Sequence, residues 1–290
     1  MIGRRGFLRS STALFASRLL PPADAPAAFT EASEVSHPLD PLTSQEIREA
    51  AKILKASGNW TPDSRLASLF LREPSKEEVL SWRPGAPVSR QASAVIYRRA
   101  ANHTFESTVD LPSRRLLSWK QVEGVQPWTL SDDADLLGEI IRSNPQWQEA
   151  IRKRGIKDFD KVQIEPESAG YQFLKEQEGD RLVGAIFFYR GESENPYARP
   201  ITGLMVFVNL TKKTVFKILD DGVLDVPRKP EDLDENSLGP VRKAPKPLRV
   251  LQPLGPSFAI RGHEVRWQQW RFRFSMTARE GLLIHAVGSP

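Results

Sequence analysis

Stretches of apolar residues at helical spacing are followed along this chain by stretches of period two. Residues 43–46 read TSQE, a capping box in which the threonine hydroxyl caps a helix and the glutamate reaches back. The apolar positions between 47 and 54 then share one helical face, and Gly58 is placed to end the helix. A second capping box, SKEE, occupies residues 75–78. The pattern therefore predicts two helices early in the chain.

A change to period two after the second helix predicts strands. Alternating residues in 92–96 and 103–109 indicate a hairpin, and residues 114–119 indicate a third strand. Residues 37–128 thus read as a helical start followed by a small antiparallel sheet.

The same order of helix and sheet repeats between residues 132 and 226. Residues 132–142 carry apolar residues on one face, and Asn144-Pro145 supplies the cap and first-turn proline of a further helix, which Gly155 ends. Strands are predicted at residues 161–165, 168–175, 181–190, 201–210 and 214–220. The third and fourth are nearly continuous apolar runs, which favours central positions in a sheet. The fold class we expect is α+β, with two such units in tandem.

The last part of the chain combines an extended stretch with an apolar hairpin. Residues 227–254 are rich in proline and charge, which is typical of a linker. Alternation returns at residues 265–276, where the apolar phase flips after Gln268-Gln269 and suggests a bulge or corner. Residues 279–281 turn the chain into a last strand. A lone hairpin this apolar is marginal in water, so it either docks on the preceding domains or lacks the rest of its own domain.

Composition narrows the classes of partner. The chain has 290 residues, 40% of them hydrophobic, which suffices for two ordinary domains, and it has no cysteine for a disulfide or thiolate metal site. Its net charge of +5 comes from residues 1–30, at +3, and residues 243–290, at +6, which leaves −4 between them. A nucleic-acid binder needs a basic stripe on its folded body, so we expect no nucleic-acid partner. No window approaches the roughly 20 apolar residues of a membrane span, so we expect no membrane partner.

The N-terminus resembles a bacterial twin-arginine export signal. Residues 3–10 read GRRGFLRS, and a modest apolar stretch leads to the small residues APAA at 25–28. The pattern predicts a leader over residues 1–30 and export to the periplasm or the outside. Arg18 interrupts the apolar stretch. The alternative is a misassigned start or a disordered basic arm on a cytoplasmic protein.

Several short motifs resemble those of the copper amine oxidases and follow that family's order. Each motif alone is weak, whereas their common register across residues 37–285 is specific. The motifs are HPLDPLT at 37–43, EPSK at 73–76, GVQP at 124–127, KRGI at 153–156, YARP at 197–200, GPSF at 255–258, VRWQQWRF at 265–272 and REGLLIH at 279–285.

The resemblance implies a domain order that matches the pattern of helices and strands. Residues 37–128 and 132–226 would be the family's second and third N-terminal domains, both α+β and cystatin-like in shape. Residues 227–254 would be the linker, and residues 255–290 the truncated start of the catalytic β-sandwich. In the intact family the resemblance further implies copper, topaquinone, a homodimer, and oxidation of primary amines to aldehyde, ammonia and hydrogen peroxide.

The residues that this chemistry needs are not expected here. The family holds copper with three histidines and makes topaquinone from a tyrosine in an Asn-Tyr-Asp/Glu-Tyr motif. No tyrosine of this chain follows an asparagine, and no two histidines lie one residue apart. We therefore expect no catalytic, cofactor-binding or metal-binding residue, no bound copper or topaquinone, and no activity of the chain alone. The tyrosines are Tyr97, Tyr171, Tyr189 and Tyr197, and the histidines are His37, His103, His263 and His285.

A non-catalytic interaction module built from two cystatin-like domains is the alternative function. Three other motifs have two interpretations each. The acidic residues in 132–135 suit a helix start better than a calcium site. The tryptophans and arginines of 266–273 could form a stacking platform for single strands, but their alternation favours a half-buried strand. The sequons at Asn102 and Asn209 would matter only in a eukaryotic secretory route.

Overall fold

The protein forms three antiparallel sheets. The computed structural model describes residues 35–170, 179–229, 232, 234–240 and 242–289, so the predicted leader lies outside the described residues. Within these ranges each sheet has four strands, which lie side by side in chain order. No helix in the same ranges is long and apolar enough to cross a membrane. The α+β fold class is confirmed.

The first sheet is covered by a helix on its apolar face. The predicted capping box is present, because the Thr43 amide donates to Glu46 at 2.8 Å and the Glu46 amide donates to the Thr43 hydroxyl at 3.2 Å. Leu54 of the capped helix packs on Ile96 and Val109 of the sheet, and all three are fully buried. The elements are α1 (Ser44–Ala56), β1 (Ser64–Leu71), α2 (Lys76–Ser81), β2 (Gln91–Arg98), β3 (His103–Asp110) and β4 (Arg115–Val122).

Strand β1 was not predicted from the sequence. Its pairing with β2 shifts register between Leu66 and Ser68, so the two sides of the strand exchange faces within a few residues. A register shift of this kind removes the simple alternation on which a period-two prediction depends.

The second sheet is covered by two helices. Asn144 caps the second of them by accepting from the Trp147 amide at 3.0 Å. Trp147 is fully buried against Phe187 of the sheet. The elements are α3 (Ser131–Arg142), α4 (Pro145–Lys153), a 3₁₀ turn (Phe159–Lys161), β5 (Val162–Ser168), β6 (Leu182–Tyr189), β7 (Pro200–Asn209) and β8 (Thr214–Asp220).

Strand order in the second sheet agrees with the apolar runs. β6 and β7 are the two central strands, as predicted. β5 continues through Pro166 to Ser168, beyond the predicted end at residue 165. The predicted strand at 168–175 lies mostly outside the described residues.

The third sheet follows a stretch with little regular structure. In the described residues between β8 and the third sheet, the single regular element is the short helix α5 (Glu235–Leu238). The sheet itself comprises β9 (Phe258–Arg261), β10 (Glu264–Trp267), β11 (Trp270–Thr277) and β12 (Gly281–Gly288).

The bulge or corner predicted at Gln268-Gln269 is a chain reversal between two strands. Trp267 pairs directly with Trp270, so the two glutamines form a two-residue hairpin turn between separate strands, with Gln268 at a φ of 52°. In such a hairpin the two residues that flank the turn face the same side. The flip in the sequence is therefore the turn itself, and the apolar residues of β10 and β11 share one face of the sheet.

Candidate functional site

The four histidines lie in four different surroundings. In the ranges that the structure describes, no three His, Cys, Asp or Glu side chains are grouped so as to hold a metal ion. Copper needs several imidazoles that converge on one point. The histidines therefore do not fit that metal. Their ring or hydrogen-bond partners are Trp82 for His37, Phe105 for His103, Phe274 for His263 and Ser275 for His285.

The described tyrosines hold structural contacts. Tyr97 is buried and its hydroxyl donates to Asn102 at 2.8 Å, and burial raises its pKa. The Tyr197 hydroxyl donates to Glu165 at 3.0 Å. The Arg199 guanidinium lies 4.6 Å from the centre of the Tyr189 ring. Tyr171 lies outside the described residues, and the sequence around each of the four differs from the quinone motif.

The acidic start of α3 is the centre of a charged junction between the first two sheets. Asp133 is fully buried and accepts from the Leu130 amide at 2.8 Å, which closes the first turn of the helix. Its carboxylate also accepts from Arg99, in the turn between β2 and β3, and from Arg181, before β6, both at 2.5 Å. The predicted role as a helix cap is confirmed, and arginines occupy the oxygens that a calcium ion would need.

Arg181 and Asp133, the two sides of this junction, each have several interaction partners. Arg181 donates to the carbonyls of Pro127 and Trp128, and its guanidinium lies 4.6 Å from the centre of the Tyr97 ring. Burial alone would raise the pKa of Asp133, but the hydrogen bonds from Arg181 and Leu130 lower it below its ordinary value. The junction thus connects the first sheet to the second through a buried, fully paired charge.

Neighbouring Asp132 extends the junction toward the first strand. Its carboxylate accepts from Arg99 at 2.7 Å and from Arg65 of β1 at 2.8 Å. Asp132 is partly exposed, so this pair adds less to stability than the buried one at Asp133. Asp132 and Asp133 therefore contact two arginines of the first sheet and its turns, Arg65 and Arg99, and one that precedes β6 of the second sheet, Arg181.

The third sheet contacts the first through its charged face. Arg273 of β11 donates to Asp40, which lies in the turn before α1, and both residues are buried. Burial alone would raise the pKa of Asp40, but hydrogen bonds from Ser36 and the charge of Arg273 lower it. Glu264 of β10 lies 3.7 Å from the other arm of Arg273. The predicted hairpin therefore docks on the first unit, by a salt bridge.

A cleft of about 530 Å³ lies beside this contact, between β1 and the β11–β12 hairpin. At its wall the His285 ring is 2.9 Å from the Ser275 hydroxyl, and its other nitrogen is 3.7 Å from Glu73. The second distance is too long for a hydrogen bond, and Ser275 is buried. The three groups therefore connect two sheets and do not form an activated nucleophile.

The opposite face of the third sheet is apolar and exposed. Trp267 and Trp270 are 45% and 42% exposed, and Ile284 is 57% exposed. The expectation of a half-buried strand is correct, but the buried residues, Arg273 and Ser275, lie on the arginine side, where Arg266 and Arg271 remain exposed. Since the arginines and the tryptophans lie on opposite faces, they do not form one stacking platform. Other exposed apolar residues of this face include Phe258, Ile260, Met276 and Leu282.

Both sequons fall on side chains with structural contacts. The Asn102 side chain accepts from the Tyr97 hydroxyl, and its amide nitrogen donates to the Gly179 carbonyl. Asn209 is fully buried and its amide donates to Asp180 at 2.7 Å. Neither amide is presented for attachment of a glycan.

Two domain families match the chain in consecutive ranges. Residues 37–122 match the N2 domain of copper amine oxidases, and residues 132–236 match the N3 domain. Together these ranges contain the first two sheets and the junction at Asp133.

Full-length relatives match most of the chain. A primary amine oxidase of Arthrobacter sp. (strain P1) is 40% identical over 255 residues, which are 87% of this chain and 39% of that protein. A primary amine oxidase of Klebsiella aerogenes is 32% identical over 256 residues, or 87% of this chain and 33% of that protein. The chain thus spans well under half the length of these relatives.

A solved structure shares the fold. The crystal structure of a copper-containing benzylamine oxidase from Hansenula polymorpha superposes with a TM-score of 0.66 at 20% identity, and the match covers 87% of this chain and 42% of that one. At this identity the likeness concerns the fold alone.

Proposed function

This chain belongs to the copper amine oxidase family, and on that premise we propose that it forms the non-catalytic scaffold of a primary-amine oxidase. The observation that carries the proposal is the order of the two matching domains, N2 at residues 37–122 and N3 at 132–236, followed by the third sheet. In this proposal the first two units are tandem cystatin-like domains, each with helices across a four-stranded meander.

The third sheet is the start of the catalytic β-sandwich in this proposal. Its exposed apolar face, with Trp267 and Trp270, has the character of a sandwich interior. We propose that further polypeptide of the intact enzyme covers this face. The charged face, held by Arg273 and Asp40, would then fix the sandwich on the first unit.

The intact enzyme would oxidise a primary amine with O₂ and water to an aldehyde, ammonia and hydrogen peroxide, using copper and topaquinone. The histidines and tyrosines of this chain do not fit those two groups, so no catalytic step is assigned to any residue here. The residues present have a positioning role: Asp133 holds the two small units together, and Asp40 holds the third sheet.

The purified chain tests the assignment directly. After loading with copper, it should release no hydrogen peroxide with methylamine, benzylamine or putrescine, and should not stain for quinone. The Arthrobacter primary amine oxidase, treated in the same way, serves as the positive control. Peroxide release or quinone staining by the 290-residue chain would overturn the proposal.

A second candidate function is an interaction module without catalysis. It is favoured by the closed cores of the first two units and by the paired charge between them. In the scaffold proposal the chain pairs chiefly through the sandwich, as a homodimer of the intact enzyme. Light scattering on the isolated chain separates the two: a stable dimer with the third sheet deleted would favour the module.

We also propose that the chain is exported through its twin-arginine-like N-terminus. Replacing Arg4 and Arg5 by lysine should leave the protein in the cytoplasm of a bacterial host. Unchanged export of that variant would contradict the proposal.

A further inference from the structure

The turn that carries Asp40 requires a neutral imidazole at His37. The ring Nδ1 atom of His37 accepts a hydrogen bond from the Leu39 amide at 3.1 Å, and the His37 carbonyl accepts from the Asp40 amide at 3.0 Å. An imidazolium carries a proton on both ring nitrogens and accepts nothing. Protonation of His37 therefore removes one of the two hydrogen bonds that shape this turn.

The same turn presents Asp40 to the third sheet. The Asp40 carboxylate accepts from the amide and the hydroxyl of Ser36 at 2.9 and 3.1 Å, and from Arg273. Arg90 supports the turn from the first unit by donating to the Asp40 carbonyl at 2.7 Å. The hydrogen bonds at His37 thus determine the position of Asp40, the partner of Arg273.

Positive charge from the third sheet faces the His37 ring. Arg271 and Arg273 of β11 both disfavour a cation at this position, while Asp40 and Glu264 favour one. Burial, and then Arg273, lower the pKa of His37 below its ordinary value near 6.5. On the remaining side the ring packs edge-on against Trp82, with the ring centres 4.9 Å apart.

We infer that His37, Asp40 and Arg273 form a pH-sensitive clasp between the first and third sheets, which loosens when His37 gains a proton. The imidazolium would lose the Leu39 hydrogen bond and lie beside two arginines. Asp40 stays charged through this step because its own pKa is lowered, so His37 is the group that changes state.

The direction of the pH dependence follows from the lowered pKa of His37. The docked imidazole takes up its proton only below the ordinary value near pH 6.5, and part of this lowering comes from Arg273, which leaves the ring when the third sheet detaches. The docked state is therefore fully favoured above about pH 6.5 and loses that preference as the pH falls through the docked pKa. Each unit of difference between the pKa of His37 in the undocked state and in the docked state lowers the equilibrium constant for docking about tenfold.

Hydrogen exchange of the full 290-residue chain measures the clasp. Protection of the β11 and β12 amides, corrected for intrinsic exchange, should fall between pH 7.5 and pH 5, while that of β6 and β7 should not. In the His37→Asn variant the asparagine oxygen can accept from the amide two residues ahead and does not titrate. This variant should keep its protection at pH 5.

Two histidine variants serve as matched controls. His103 is exposed on the first sheet, and His285 is at the other end of the contact, between Ser275 and Glu73. His103→Asn and His285→Asn should both retain the pH response of the natural chain. Loss of the response in either of them, in place of His37→Asn, would overturn the inference.

A titration of the natural chain gives a test that needs no variant. The imidazole resonances of His37 should titrate below pH 6.5, together with a change in the resonances of the Trp82 ring. A pKa at or above 6.5, or protection of β11 that does not change with pH, would also overturn the inference.

Discussion

The first two sheets turn their apolar faces toward the rest of the protein, whereas the third sheet turns its polar face toward it. Ile96 of β2 lies under α1 and is 0% exposed, whereas Ile284 of β12 points to solvent and is 57% exposed. In the third sheet the covered residues are Arg273 and Ser275. The first two units therefore close their own apolar cores, and the third sheet is attached to its neighbour by a polar contact.

This difference shows that the three sheets depend on their neighbours to different degrees. Apolar burial is the dominant favourable term in folding, and a buried salt bridge contributes little net stability. The third sheet thus lacks the main source of stability that the other two have. Its exposed face is continuous across four strands, which agrees with the proposal that further polypeptide of the intact enzyme covers it.

The largest loss of stability is expected from a substitution at the junction between the first two units. Replacing Asp133 by Asn keeps the size of the side chain but leaves Arg181 without its buried counter-charge and Arg99 with Asp132 alone. Breaking a buried ion pair in this way costs about 3–5 kcal/mol. Urea unfolding followed by circular dichroism should show this loss in the free energy of unfolding.

A nearby aspartate provides the control for this substitution. Asp135 lies on the exposed side of the same helix, so Asp135→Asn should change stability by less than about 0.5 kcal/mol. If Asp133→Asn were equally mild, the two units would be stable as independent bodies, and the junction would not join them.

A pair of isoleucine substitutions compares the covered and the exposed faces directly. Ile96→Ala opens a cavity in a closed core and should cost about 2–5 kcal/mol. Ile284→Ala removes the same atoms from an exposed position and should cost less than about 0.5 kcal/mol. Urea unfolding would measure both losses in the free energy of unfolding, and the dependence of that free energy on urea concentration should be unchanged. Similar costs for the two would mean that another molecule covers the third sheet in solution.

The sequence was informative where the signal is local. The capping residues Thr43 and Asn144 hydrogen-bond within three residues of themselves, so their motifs can be recognised in isolation. The apolar run of β6 predicted its central position for a similar reason, since burial on both faces is visible in composition.

What could not be predicted depends on partners distant in sequence or on a local irregularity. Arg181 lies 48 residues from Asp133, and Arg273 lies 233 residues from Asp40, so neither pair leaves a pattern along the chain. β1 was missed because of its register shift, and the turn at Gln268 was taken for a bulge because both change the phase of alternation. The burial of Arg273, on the polar face of β11, reverses the usual placement of charged residues, and only its contact with Asp40 reveals it.

The smallest effect on stability, with a clear effect on solubility, is expected on the apolar face of the third sheet. Replacing Trp267 and Ile284 by threonine keeps strand propensity and interrupts the exposed patch. Stability should change by less than about 1 kcal/mol, since both side chains are half exposed. The concentration at which the chain begins to aggregate, measured by light scattering, should rise. Leu117→Thr on β4 changes an exposed residue outside this patch and should have no such effect. Equal gains from both would show that the continuity of the apolar face is not what drives association.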